Sequence, residues 1–78
     1  MRLSFDPRAQ AGYMKVSNAS VARTVEIDDD LVMDLAVDGS LVGVEVLFAQ
    51  SEADVITQAM RALRGTGSTV ASSQAILV

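Results

Sequence analysis

The stretch LVMDLAVDGSLVGVEVL, residues 31–47, places the dipeptide Asp38-Gly39 between two runs of alternating apolar residues. Asp-Gly in this position is typical of a β-hairpin that is closed by a two-residue type I′ turn. Such a turn sets the register of the two strands, 31–37 and 41–48. It pairs Leu35 with Val42, Met33 with Val44 and Leu31 with Val46, so that the large apolar residues share one face.

Three further strands are predicted upstream of this hairpin, at residues 2–5, 12–16 and 23–27, because apolar and polar residues alternate there. The dipeptide Asp6-Pro7 has the composition of a turn. A three-residue loop at 28–30 pairs Ile27 with Leu31 and Val25 with Met33, which keeps apolar residues on one face. We therefore expect a five-stranded antiparallel β-meander.

An amphipathic helix is predicted from Ser51, because Asp54 follows three residues later in a variant of the capping box. Arg61 and Arg64 lie in the predicted last turn, and Gly65 just beyond it is the predicted stop signal. The predicted apolar stripe consists of Val55, Ile56, Ala59, Met60 and Leu63. The fold class is accordingly α+β: a meander, one C-terminal helix and a short apolar tail. We expect one domain at residues 1–65 and a flexible tail at 66–78, with a possible strand at 75–78.

The composition excludes several classes of function. The chain has ten acidic and six basic residues, for a net charge of −4, and it contains neither histidine nor cysteine. A net negative charge disfavours binding of nucleic acid by this chain alone. Disulfides and thiolate zinc sites are excluded, and the commonest general base is missing. We expect a cytoplasmic protein with no cofactor, no membrane segment and no enzymatic activity.

Apolar residues on the sheet face away from the helix predict an interface. The predicted register places Val32, Ala36, Leu41 and Leu47 on that face, and one helix cannot cover both faces of a sheet. A domain of this size also gains stability from oligomerisation. We therefore expect a homo-oligomer, whose candidate interface residues are Tyr13, Val32, Leu41 and Leu47 in the sheet and Ile76, Leu77 and Val78 in the tail.

Carboxylates supply the candidate ligand sites. Asp34 and Glu45 are predicted to be diagonal neighbours about 7–8 Å apart, with open space between them at Gly43. Together with Tyr13 they form a possible small-ligand or metal site, although pairing of these acids with Lys15 or arginines is favoured. The triplet at 28–30 lacks the spacing of a calcium loop, so a solvated turn is favoured over a metal site.

The order of motifs in residues 1–51 resembles the small bacterial proteins grouped as domain-of-unknown-function family 2283. The resemblance rests on Asp6, Pro7, Ala9, Ala11, Tyr13, Thr24, Val25, Glu26, Asp34, Asp38, Gly39, Gly43, Glu45 and Leu47. Gln10 and Gly12 depart from the family, which often has an acid and a larger apolar residue at these positions. The resemblance implies no established activity. Some members are encoded beside small toxin-like proteins, which implies an antitoxin-like role by analogy.

These observations favour a non-enzymatic protein-interaction module that forms a homo-oligomer, with a small basic protein as a possible partner. The alternative is a domain that binds a small ligand or a metal ion on the mixed sheet face, through Tyr13, Asp34 and Glu45. The two hypotheses differ in whether another chain buries this face or whether it lines an open site.

Overall fold

A computed structural model describes the backbone of residues 1–72 and the side chains of residues 1–64. Five strands and one helix follow one another along the chain. They are β1 (Arg2–Asp6), β2 (Ala11–Lys15), β3 (Arg23–Asp28), β4 (Leu31–Leu35), β5 (Leu41–Leu47) and α1 (Glu52–Ser72). The strands form one antiparallel sheet and the helix follows it, which confirms the predicted α+β class. The predicted strand at 75–78 and the residues Ile76, Leu77 and Val78 lie outside the described residues.

The strand order is β1-β2-β5-β4-β3, so the sheet combines a β1–β2 hairpin with a β3–β4–β5 meander. A simple meander would have placed β5 at an edge. Instead β5 lies in the centre, and most of its residues are buried or half-buried. The edge strands carry charged residues such as Arg2, Asp6, Arg23 and Glu26, which suit exposed edges. Burial of the most apolar strand thus accounts for the observed order.

The connection from β2 to β3 runs along one end of the sheet and is attached to the two strands that it passes. The amides of Val16 and Ser17 donate to the carbonyl of Val42, at 2.8 and 3.1 Å. The amide of Ala22 donates to the carbonyl of Leu35 at 2.7 Å. Because these hydrogen bonds satisfy backbone groups at the ends of β4 and β5, the crossing loop helps to place β3 at the far edge.

The turn between β4 and β5 is not the predicted type I′ turn. That turn requires a positive φ at both Asp38 and Gly39, but of the two only Gly39 has one, at 88°. The Gly39 amide donates to the Ala36 carbonyl at 2.9 Å, and the Ala36 amide donates to the Ser40 carbonyl at 2.8 Å. This is the pattern of a three-residue loop that ends in a left-handed glycine. Hydrogen bonds from the hydroxyl and amide of Ser40 lower the pKa of Asp38.

The altered turn shifts the register at the end of the hairpin. Leu31 still pairs with Val46 and Met33 with Val44, as predicted, but Leu35 pairs with Leu41 rather than with Val42. Leu41 consequently packs against the hydrophobic core on the helix side. Its predicted place on the opposite face is therefore wrong, because an inserted residue reverses the faces of the residues beyond it.

The turn between β3 and β4 also differs by one residue. Val25 pairs with Met33 as predicted, but Asp28 rather than Ile27 is paired with Leu31. Ile27 lies at the resulting register shift and its side chain is 42% exposed. The predicted three-residue loop is therefore wrong. The bulge places the extra residue, Ile27, within β3 instead of within the turn.

Helix α1 begins where the sequence predicts. The Ser51 hydroxyl accepts from the Asp54 amide at 3.1 Å, and the Asp54 carboxylate accepts from the Gln50 amide at 3.1 Å. The predicted end at Gly65 is wrong, because the helix continues to Ser72. Glycine in a helix costs about 1 kcal/mol but lacks the ring with which proline breaks a helix. The division into a domain at 1–65 and a tail at 66–78 stays a prediction.

The buried side of α1 is narrower than the predicted stripe. Val55 and Ala59 are fully buried and Leu63 packs against the core, as predicted. Ala62 is also buried, although it was not in the predicted stripe. Ile56 and Met60, by contrast, are 44% and 40% exposed. Small residues at 59 and 62 let the helix approach the sheet closely, so the larger side chains are displaced to its flank.

Gly12 is the point of closest approach between the helix and β2. A methyl group at this position would overlap the side chain of Val55 and would lie 3.1 Å from the backbone oxygen of Ser4. Since Val55 is fully buried, it has no free space into which to move. A larger apolar residue at this position would therefore require a different helix placement.

Replacing Gly39 tests the turn. Gly39→Val should lower the free energy of unfolding by about 1–3 kcal/mol, because a β-branched residue resists a positive φ. A Cβ atom at position 39 would meet no other atom within 4 Å, so we expect the loss to come from the backbone. Gly39→Asn is the control and should cost less, since asparagine tolerates this conformation. Denaturant melts that show no difference between the two variants would contradict the assigned turn.

Replacing Gly12 tests the helix contact. Gly12→Ala should destabilise the protein by about 1–3 kcal/mol through overpacking against Val55. In a Val55→Ala background the same substitution should cost less by at least about 0.5 kcal/mol, because the two side chains no longer compete for one space. Denaturant melts of the four proteins measure this coupling. Strict additivity would show that the helix does not rest on Gly12.

Candidate interaction surface

The sheet face away from α1, here called the open face, is defined by residues that pair across the five strands. One row across the sheet contains Arg2, Lys15, Gly43, Asp34 and Thr24, in the order β1, β2, β5, β4, β3. The next row contains Ser4, Tyr13, Glu45, Val32 and Glu26. A third, shorter row contains Asp6, Ala11 and Leu47. Paired residues share a face, so these side chains form one surface.

A hydrogen-bonded network joins three strands on the open face. The Tyr13 hydroxyl donates to one carboxylate oxygen of Asp34 at 2.9 Å, and the Thr24 hydroxyl donates to the other at 2.8 Å. Tyr13 lies on β2, Asp34 on β4 and Thr24 on β3. The carboxylate thus accepts a hydroxyl hydrogen bond on each oxygen, and both bonds are to a charged acceptor, which strengthens them.

Gly43 makes this network possible. It lies on β5, between the strands of Tyr13 and Asp34, and a methyl group at this position would overlap the Tyr13 ring and hydroxyl. The sequence predicts open space at Gly43 between Asp34 and Glu45. The structure shows that the Tyr13 side chain fills this space, which only a residue without a side chain could leave free.

The environment of Tyr13 keeps its hydroxyl protonated. Burial, the hydrogen bond to Asp34 and the negative charges of Asp34 and Glu45 together raise the pKa of Tyr13 to about 12. Each of these causes disfavours a phenolate beside the acids. A neutral tyrosine that donates to a carboxylate is a rigid anchor rather than a base or a nucleophile.

Apart from Asp6 at the end of β1, charges of opposite sign lie on the two sides of β5. On the open face Arg2 and Lys15 belong to β1 and β2, whereas Asp34 and Glu26 belong to β4 and β3. Glu45 lies on β5 itself and is exposed. A surface depression of about 240 Å³ lies beside it and is lined by Ser4, Asp6, Tyr13 and Glu45, among other residues.

The structure brings together some of the predicted site residues and separates others. Tyr13, Val32 and Leu47 lie half-buried on the open face, and Asp34 and Glu45 share that face. Leu41 does not, because it packs into the core. Sequence reasoning missed Arg2, Ser4, Asp6 and Ala11 as members of this face. Their alternation was visible, but their place beside β5 depends on a strand order that local patterns do not reveal.

The acidic turn at 28–30 is bound to the helix. Arg61 lies 3.6 Å from the carboxylate of Asp28 and 3.8 Å from that of Asp30, and all three side chains are substantially exposed. Exposed ion pairs of this kind contribute about 0–1 kcal/mol each. Among the described residues, no group of three or more acidic side chains is arranged so that it could hold a metal ion.

Phe48 is an exposed aromatic residue with an unfavourable backbone. It has a positive φ of 60° and is 71% exposed, and Gln10, at the neighbouring end of β2, has a positive φ of 52°. The Ala49 amide donates to the Gln10 carbonyl at 2.7 Å and holds the two segments together. This contact turns the chain from β5 into the helix.

The titration of Tyr13 tests the network. The chain contains one tyrosine and no tryptophan, so its phenolate absorbance reports this residue alone. We expect a midpoint near pH 12 in the native protein. Asp34→Asn should lower the midpoint towards the ordinary value of about 10, since it replaces the negatively charged acceptor of the hydroxyl with a neutral amide.

The same shift predicts a dependence of stability on pH. A raised pKa in the folded state means that the contribution of Tyr13 to stability is complete below about pH 10 and is lost as the pH rises towards about 12.

Asp29→Asn is the control for the titration of Tyr13, because it also removes one acidic charge, but from the exposed turn. If Asp34→Asn and Asp29→Asn gave the same midpoint as the native chain, the network would not exist in solution.

Comparison with known proteins assigns a family. The family model described as "Protein of unknown function (DUF2283)" matches residues 2–50, more than half of the chain. This confirms the resemblance that the sequence shows over residues 1–51. Neither a curated protein nor a solved structure matches the chain. Within the described residues, no helix is long and apolar enough to cross a membrane.

Proposed function

We propose that this chain, which belongs to the DUF2283 family of proteins of unknown function, is a non-enzymatic protein-interaction module. In this proposal the chain forms a homo-oligomer through the open face of its sheet. A location in the bacterial cytoplasm belongs to the same proposal and is consistent with a chain that contains no cysteine.

The observation that carries the proposal is the unequal cover of the two sheet faces. On one face Val55 of α1 shares a core with Val44 and Val46 of β5, and all three residues are fully buried. On the other face Tyr13, Val32 and Leu47 keep part of their apolar surface in contact with solvent. Burial of such surface by another chain contributes about 25 cal/mol per Å² and compensates for the small core of a short chain.

The open face also has the rigidity that favours binding. The Tyr13 ring is fixed over Gly43, and its hydroxyl is held by Asp34. A side chain that is already ordered loses little conformational entropy when a partner covers it. Tyrosine is enriched at the centres of interfaces for the same reason and because it is both apolar and a hydrogen-bond donor.

The geometry supports a non-enzymatic function over acid–base catalysis at this surface. Tyr13 is held in its protonated form, and both oxygens of Asp34 accept hydrogen bonds from hydroxyl groups. Each carboxylate oxygen keeps a second lone pair, but the two hydrogen bonds hold Asp34 as an acceptor within the sheet, whereas a general base has to be directed at a substrate proton. Glu26 and Glu45, which lie in the row next to Asp34, are exposed to solvent and take no part in the network.

Two further partners belong to the proposal as alternatives. A small basic protein would suit the net charge of −4. Binding such a partner would be the antitoxin-like role that the family resemblance implies. A small ligand would instead occupy the depression beside Tyr13 and Glu45. The oligomer is preferred because the half-buried apolar residues extend beyond this depression to Val32 and Leu47.

Self-association and its dependence on the open face test the proposal. Sedimentation of the full chain should show a reversible oligomer, and Leu47→Asp should weaken it at least about tenfold, because a charge would be buried against apolar surface. Met60→Asp is the matched control, since Met60 is also partly exposed but lies on the helix. A full chain that stays monomeric at about 200 μM, the range of weak transient contacts, would contradict the proposal.

A further inference from the structure

We propose that the partner of the open face is a second copy of this chain, related by a two-fold axis that runs parallel to β5. This inference rests on the proposed function, since it requires that the open face bind protein. It specifies which side chains meet across the interface, and it follows from the distribution of charge around the central strand.

Apart from Asp6 in the third row, the charges have opposite signs at equal distances from β5. In the row that contains Gly43, Lys15 lies one strand to one side and Asp34 one strand to the other. Arg2 lies one strand further out on the basic side, and Thr24 and Glu26 lie on the corresponding strand of the acidic side. A surface of this kind is complementary to itself after a half-turn, which is the requirement for a symmetric dimer.

A half-turn about an axis along β5 places β2 of one copy over β4 of the other, and β1 of one copy over β3 of the other. It places Lys15 of one copy over Asp34 of the other, and Arg2 over Thr24 and close to Glu26. It also places Tyr13 over Val32 and Leu47 over its own counterpart. Basic groups thus meet acidic ones and apolar groups meet apolar ones, as two aligned sheets require.

The arrangement has two unfavourable features, because Glu45 on β5 faces its counterpart and Asp6 on β1 has no basic residue opposite it on β3. The other simple axis, perpendicular to the strands, is worse. If it passes through the row of Glu45, it would place Glu45 on Glu45, Glu26 on Glu26 and Lys15 on Ala11, and it would leave Arg2 with Asp6 as the pair of opposite charge. Like charges that are directly opposed destabilise an interface, so the axis along β5 is preferred.

The size of the face sets the expected affinity. Five strands about 4.8 Å apart and five residues long cover a projected area of about 400 Å² per copy. Two copies together therefore bury less than the 1,200–2,000 Å², roughly, of standard interfaces. We expect a weak, reversible dimer with a Kd in the micromolar range, about 10⁻⁶ to 10⁻⁴ M.

Cross-linking of single-cysteine variants tests the arrangement, because the chain contains no cysteine of its own. A short bismaleimide should join two copies of Leu47→Cys, since this residue faces itself across the axis. Ser4→Cys alone and Glu26→Cys alone should remain uncross-linked, whereas an equimolar mixture of the two should give a covalent dimer. Met60→Cys, on the helix, is the control and should not cross-link.

The result separates this inference from the proposed function. Cross-linking of Ser4→Cys alone would overturn the axis along β5 and would indicate the perpendicular one. Cross-linking of Met60→Cys above the level of the mixture would show that the open face is not the interface. If the native chain sediments as an oligomer but the mixture of Ser4→Cys and Glu26→Cys gives no dimer, the inference fails while self-association stands. A monomeric native chain overturns both.

Discussion

The hydrogen bonding of β5 to β2 along one edge and to β4 along the other is the constraint on which the rest of the structure depends. It buries the most apolar strand of the chain and displaces the charged strands β1 and β3 to the edges. It also determines which residues of β5 lie on each face of the sheet. Val44 and Val46 lie beneath the helix, while Gly43 and Glu45 lie on the open face between a basic and an acidic side.

The two glycines in β2 and β5 show how one sheet serves two purposes. Gly12 lets α1 approach so closely that Val55 takes the space of its missing side chain. Gly43 does the same on the other face for the ring of Tyr13. One glycine therefore supports the core and the other supports the candidate interaction surface. In both cases the glycine weakens the strand, because it has no side chain to pack, but it lets a larger group lie against the backbone.

Local sequence patterns account for the elements but not for their arrangement. The alternation in residues 31–47 and the Asp-Gly signal correctly paired Met33 with Val44, but they could not distinguish a turn with one left-handed residue from a turn with two. That single residue moved Leu41 into the core. Likewise, Tyr13, Asp34 and Gly43 were each recognised, yet their contact arises from the pairing of β2 with β5, which is distant in sequence. Long-range pairing leaves no periodic signal in a single chain.

The central proposal is that the sheet has one face that packs against the helix within the chain and one face that packs against another chain. Nuclear magnetic resonance spectra of the amide groups, recorded over a dilution series, test this claim most directly. The account predicts concentration-dependent shifts for Tyr13, Val32, Glu45 and Leu47 on the open face, with no comparable change at Ile56 and Met60 on the helix. Shifts confined to the helix, or no shifts at any concentration, would contradict it.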